Sequence, residues 1–269
     1  ETMVVARAEG PYIYDKQGKR YLEGMAGLWC TALGYGNEEI IEAAQRQMRE
    51  LSFSHMFGGK THSSAIELAD KLAAMVPMQD GRVFLGNSGS DANDTLLKLI
   101  RYHAEASGQP NRIKVIAREQ GYHGVTLASA ALTAIPTNHA HFQLPFEALG
   151  VLRTGSANYY RGASEGESEA EFVTRRAQEL EALILAEGPE TIAAMIAEPV
   201  SGAGGVIVPP EGYFEAIQAV LDRYGIWLWD DEVICGFGRL GTDFGANKMS
   251  MRPQMMTLAK ALSSAYVPV

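Results

Sequence analysis

Cysteine is scarce: two residues in 269, Cys30 and Cys235, far apart and in no C-x-x-C spacing. That excludes a disulfide framework and favours a reducing, cytoplasmic setting. Basic charge is also in short supply. Lys and Arg number 23 against 32 Asp and Glu, a net charge of −9, so the chain offers no footprint for a phosphate backbone and no nucleic-acid partner is expected. Membrane-spanning runs are missing as well. Residues 120–146 carry no Asp, Glu, Lys or Arg, but glycines, histidines and prolines interrupt them, and no membrane association is expected. The opening Glu1-Thr2-Met3-Val4 has neither the basic nor the apolar part of a secretory signal. What remains is an ordinary globular mixture, 46% hydrophobic and 20% charged, long enough for one large domain or two modest ones.

Two periodicities organise the chain. Tyr12–Asp15 and Arg20–Leu22 are aromatic-rich runs around a Lys-Gln-Gly-Lys turn and predict a small β-meander. From Asn37 the period becomes helical, with Ile40, Ile41, Ala44, Met48 and Leu51 on one face. A second helix follows Ser63-Ser64, with Ile66, Ala69, Leu72 and Val76 inward and Pro77 as its stop. Strands are then predicted at 82–85, 113–117, 192–197, 226–229 and 257–259, separated by helices at about 91–106, 169–187 and 211–224. Apolar strands alternating with amphipathic helices imply an α/β domain whose mostly parallel sheet is covered on both faces.

Three motifs fail on inspection. Gly236-Phe237-Gly238-Arg239-Leu240-Gly241 spells the dinucleotide fingerprint, but the continuation Thr242-Asp243-Phe244-Gly245 is turn-like and no acid follows at ribose distance. Gly59-Lys60-Thr61 lacks the partner glycine of a phosphate loop, since Ser54 stands there. His139-Ala140-His141 has no second ligand cluster and reads as a surface loop, so no metal is expected.

Four others share one order. Gly86-Asn87-Ser88-Gly89-Ser90-Asp91 sits between a predicted strand and a helix, where backbone N–H groups and the helix dipole favour a phosphate; the bland reading is a capped tight turn. Gly121-Tyr122-His123-Gly124 exposes an aromatic between small neighbours, able to stack on a flat ligand or simply to pack on the core. Asp230-Asp231-Glu232 closes an apolar strand at the edge where α/β sheets bind ligands. Lys260 is the only charge from Pro253 to Val269; burial would lower its pKa and make it a nucleophile, or it snorkels from an apolar segment.

With the blocks Asn87–Asp94, Gly121–Gly124, Ala197-Glu198-Pro199-Val200, Asp231–Arg239 and Ala259–Ser264, the chain resembles the class III aminotransferases of the fold-type I pyridoxal-phosphate enzymes over nearly its whole length. The resemblance implies a fold-type I large domain with an N-terminal piece of the small domain, divided at residues 1–36 and 37–269. It implies a covalent link from Lys260 to the aldehyde of pyridoxal 5′-phosphate and proton transfer by the same amine. Asp231 would pair with the ring nitrogen, Gly89 and Ser90 would hold the phosphate, and Tyr122 and Val233 would cover the ring's two faces, with His123 and Glu198 close by. Gly27-Leu28-Trp29-Cys30 looks like the amine:pyruvate, or ω-transaminase, branch, in which Leu28, Trp29, Phe57 and Tyr122 would wall an apolar substrate pocket. The implied partners are an amine donor, a 2-oxo acid acceptor and a second copy in a homodimer. Relatives in the class include an aminomutase and a dialkylglycine decarboxylase, and a non-catalytic cofactor-binding chain is a further alternative. Family members continue past the lysine into further large-domain and small-domain segments, so this chain is expected to be part of a longer enzyme, incomplete at its C-terminus. Gln254 replaces the aspartate usual after that proline.

Overall fold

The structure, a computed structural model, describes residues 2–269. By packing the chain divides into two units, residues 1–85 with 260–269, and residues 86–259.

The first unit opens with an antiparallel sheet, β1 (Val5–Glu9), β2 (Tyr12–Asp15) and β3 (Arg20–Leu22), in that order. Asp15 pins the β2–β3 turn: its carboxylate accepts from the backbone N–H of Gln17 and Lys19 at 3.0 and 2.9 Å and from the Tyr21 hydroxyl at 2.9 Å. The strand β1 has no counterpart in the sequence reading. A short α1 (Ala26–Trp29) is irregular, with Gly27 and Leu28 in the left-handed region. Next come α2 (Glu38–Glu50), capped by the Asn37 side chain on Ile40 N–H, and α3 (Ser63–Met75), capped by His62 on Ala65 N–H. The last ten residues cluster with this unit. Leu33 N–H donates to Ser264 Oγ at 3.2 Å and Asn37 N–H to Tyr266 Oη at 2.6 Å. The packing division at residue 85 therefore lies well beyond the end of the antiparallel sheet.

Two expectations fail here. The apolar face of α2 is not buried: Ile41, Met48 and Leu51 stand open, as does Ile66 of α3, although Ala65 and Leu72 are buried. Periodicity identifies an apolar stripe but does not supply the surface that covers it. Likewise Arg82–Leu85 joins no sheet, with Phe84 exposed, because no strand among the described residues pairs with it.

The second unit is an α/β layer structure. Its helix α4 (Gly89–Ala106) begins at the Ser88 cap, whose Oγ accepts from Asp91 N–H at 3.1 Å. The sheet follows as β4 (Lys114–Arg118), β5 (Val151–Thr154), β6 (Ile192–Ala197), β7 (Trp227–Asp231) and β8 (Met255–Thr257), in spatial order β5-β4-β6-β7-β8 with every pair parallel. The connections carry α5 (Leu127–Leu132), α6 (Phe146–Leu149), α7 (Tyr159–Gly162), α8 (Glu169–Glu187), α9 (Tyr213–Arg223) and α10 (Gly245–Lys248). All six residues of β6 are buried, as a central parallel strand covered on both faces requires. Leu97 and Ile100 of α4 pack with Val115, Ala117, Ile196 and Trp229 in the core. The edge strand β5, with only one buried residue in four, is too short and too polar to have shown in the sequence. The Gly236–Gly241 segment is a run of turns, with no helix before α10, so its rejection as a dinucleotide site holds. Both cysteines are free thiols.

Candidate active site

The carboxyl ends of the parallel strands bring together segments far apart in the chain, the usual location of ligands in such sheets. At the end of β7, Asp231 is almost fully buried. Its Oδ2 lies 2.8 Å from His123 Nδ1 and accepts from Asn93 Nδ2 at 3.1 Å, and its Oδ1 accepts from Val233 N–H at 3.2 Å. Asn93 is held in turn. Its Nδ2 also donates to the His123 carbonyl at 2.6 Å, and its Oδ1 accepts from Thr257 Oγ1 at 2.7 Å. The Thr257 hydroxyl receives the Trp229 indole N–H at 2.8 Å. The carboxylate thus terminates a buried chain running Trp229, Thr257, Asn93, Asp231. His123 Nε2 is buried and has no protein partner.

Around this carboxylate stand the other predicted residues of the unit. Tyr122 N–H donates to Glu198 Oε1 at 3.0 Å, and Glu198 Oε2 accepts from Gly202 N–H at 2.8 Å. Burial raises the Glu198 pKa, partly offset by nearby His123. Burial, then the charges of Asp231 and Glu198, raise that of the Tyr122 phenol. Gly89, the first residue of α4, faces Val233: a Cβ there would meet Val233 Cγ2 at 2.7 Å, so only glycine lets these segments approach. Ser90 Oγ accepts from Val125 N–H at 3.1 Å. Gly124, at φ +131°, backs onto it, and a Cβ there would fall 2.4 Å from Ser90 Oγ and 2.5 Å from Ser129 Oγ.

Lys260, Leu28, Trp29 and Phe57 belong to the first unit. Lys260 is half-buried at the start of a 3₁₀ turn with a left-handed φ of 48°. Leu28 is exposed and Trp29 half-buried within α1, and Phe57 is 82% exposed in an irregular segment. The sequence reading missed Asn93, Thr257 and Trp229. The one signal for Asn93 was its place in the Asn87–Asp94 block; Trp229 read only as an apolar strand residue.

No group of three or more His, Cys, Asp or Glu suited to a metal occurs among the described residues, and no helix there is long and apolar enough to cross a membrane. A helix N-terminus closed by glycine, beside a buried strand-end carboxylate on a mostly parallel sheet, defines the large domain of a fold-type I pyridoxal-phosphate transferase. The comparisons agree. The family model "Aminotransferase class-III" matches residues 1–269, and the chain belongs to that family. It is 51% identical over its full length to the probable gamma-aminobutyrate transaminase 2, mitochondrial, of Oryza sativa subsp. indica, covering 54% of that protein. It is 50% identical to the mitochondrial gamma aminobutyrate transaminase 1 of Solanum lycopersicum, covering 52% of it. Among solved structures, an omega transaminase from Pseudomonas jessenii in complex with PMP superposes with a TM-score of 0.97 at 52% identity, over 99% of this chain and 58% of that one. The chain therefore spans about half the length of the curated relatives it matches. Pyridoxal phosphate is the cofactor of the family.

Proposed function

We propose that the protein is an aminotransferase that moves an amino group from a primary ω-amine or aryl-alkyl amine to a 2-oxo acid such as pyruvate, in two half-reactions. The observation that carries this reading is the buried Asp231, held by His123, Asn93 and Val233 N–H at the carboxyl edge of β7. Pyridoxal phosphate fits the residues present. Gly89 and Val233 make a cradle that a Cβ would fill, α4 offers a helix N-terminus to the phosphate, and Asp231 offers an oriented anion to the ring nitrogen. Bound there, the cofactor supplies an aldehyde carbon and a ring that accepts electron density.

The chain's own residues do the rest. Asp231, held by His123, Asn93 and Val233 N–H, would face the ring nitrogen and hold a proton there. Gly89 N–H and Ser90 would hold the phosphate and Tyr122 and Val233 would take the two ring faces, while His123 and Glu198 hold Asp231 and the Tyr122 backbone in place. Lys260 would supply the amine that holds the aldehyde group, and the same amine would move the substrate proton. It follows Thr257 by three residues in the sequence. Thr257 itself pairs with Asp231 across the sheet. Leu28, Trp29, Phe57 and Tyr122 are assigned to the amine pocket, and a homodimer is proposed as the working assembly. The plant relatives are named for γ-aminobutyrate, itself a primary ω-amine, which supports that donor class. Two free thiols suit a reducing compartment, the cytoplasm, whereas those relatives are named mitochondrial.

Borohydride reduction of the full-length protein with its cofactor, followed by peptide mass spectrometry, tests the assignment. A pyridoxyl adduct on Lys260 and pyruvate-dependent conversion of 1-phenylethylamine to acetophenone are expected. An adduct on another lysine refutes the site, and carbon dioxide released from a dialkylglycine without acetophenone refutes the reaction.

A further inference from the structure

Three successive acids, Asp230, Asp231 and Glu232, stand at the carboxyl end of β7, and only the middle one has a place in the proposed chemistry. Residues alternate across a strand, so Asp230 points to the face opposite Asp231, and Glu232 follows just beyond the strand. Both are fully buried. Glu232 Oε1 accepts from Ala246 N–H at 2.7 Å, but Glu232 Oε2 and both oxygens of Asp230 find no donor in the protein. The two side chains are close enough that the Glu232 charge bears on the Asp230 carboxyl. Two ionised carboxylates in that position could only repel, and three oxygens without donors in a dry interior are costly.

The same face holds a buried cation. Arg118, at the end of β4, is 2% exposed. It donates to the Glu198 carbonyl and to Ser201 Oγ and stands 5.4 Å from the centre of the Phe214 ring, yet no carboxylate among the described residues is within ion-pair distance. Ala117 pairs with Ile196, so extending that register by one residue brings Arg118 beside Ala197, which pairs with Asp230. Arg118, Ala197 and Asp230 thus form one row across three strands, with the smallest side chain in the middle.

We infer that Asp230 and Glu232 hold a single proton between them, and that the one negative charge left balances Arg118, making the three a neutral unit beneath the candidate active site. The proton supplies the missing donor, and the far-side cation meets one anion rather than two. Burial first, then the neighbouring Glu232 charge, pushes the Asp230 carboxyl well above its ordinary range, with Arg118 opposing. Burial likewise raises Glu232, against the backbone N–H groups of Ala246 and Gly245. The other ionisable groups around the unit are Asp231 on the same strand, Glu198 after β6, the Cys235 thiol, which burial holds in its neutral form, and Tyr213 of α9 beside Arg118. Neither the amine donor nor the proposed reaction enters this inference.

A proton kept in the folded state but lost by unfolded carboxyls makes stability fall as pH rises from the unfolded pKa towards the folded one. Denaturant unfolding of the full-length protein between pH 5.5 and 8.5 should show this. The unfolding constant of the parent should rise by up to about tenfold per pH unit more steeply than that of Asp230→Asn, whose amide donates to Glu232 without titrating. Glu232→Gln should flatten the curve equally. Infrared spectra of the native parent at pH 8 should contain the carbonyl band of an un-ionised carboxylic acid, absent from Asp230→Asn. In Arg118→Met the remaining charge loses its counter-ion, and that band should double. Parallel pH curves for parent and both amide variants, a parent without the band, or an unchanged band in Arg118→Met would each overturn the inference.

Discussion

Replacing Thr257 by Val tests the buried chain behind Asp231 with almost no change of shape. The Thr257 hydroxyl accepts from the Trp229 indole N–H and donates to Asn93 Oδ1, and all three residues are essentially inaccessible to solvent. Valine fills the same space but leaves one donor and one acceptor buried without partners. Each such orphan costs about 1–3 kcal/mol, so the variant should lose about 2–6 kcal/mol. That is a large share of the roughly 5–15 kcal/mol by which a domain is stable. Trp229→Phe removes the orphaned donor in advance. In the double variant only Asn93 Oδ1 is stranded, so the combined loss should fall short of the two single losses by about 1–3 kcal/mol. Urea unfolding of the four proteins at neutral pH, followed by fluorescence, supplies all the terms of the cycle. A Thr257→Val loss below about 0.5 kcal/mol, or strictly additive effects, would mean that these groups find other partners and that the chain does not hold Asn93 against Asp231.

The remaining predictions concern the candidate site. Lys260→Ala should abolish turnover by at least about 10²-fold, the lower end of what a positioned acid–base group contributes, measured as ketone release with pyruvate. Asp231→Asn should lower turnover by about 10²-fold at saturating cofactor, out of proportion to its effect on cofactor affinity, because an amide carries no charge to keep the ring nitrogen protonated; full activity would contradict the role. Gly124→Ala should weaken cofactor binding in an equilibrium titration and destabilise the fold by about 1–3 kcal/mol, since its Cβ would fall 2.4 Å from Ser90 Oγ at a φ that only glycine adopts freely.

Much of the second unit was readable in the chain because its signals are local. The apolar run Ile192–Ala197 and the amphipathic Glu169–Glu187 carry their periods within a few turns, and both elements form over those residues. The motif order from Gly89 to Asp231 likewise led to the fold and the family. Side-chain periodicity and turn chemistry are properties of neighbours in sequence, so they survive without coordinates. Partnership is not such a property. Asn93 meets Thr257 across 164 residues and Asp231 across 138, and nothing in the intervening chain announces either contact. The open face of α2 and the unpaired 82–85 segment show the same division from the other side. An apolar stripe or a β-prone run states what a segment could bury or pair with, whereas what it meets depends on which surfaces the folded chain brings to it. The row of Arg118, Ala197 and Asp230 arises from the register of three parallel strands, and so only the tertiary structure could place Asp231 with His123 and Asn93 on one face of β7 and Asp230 in the row of a buried arginine on the other.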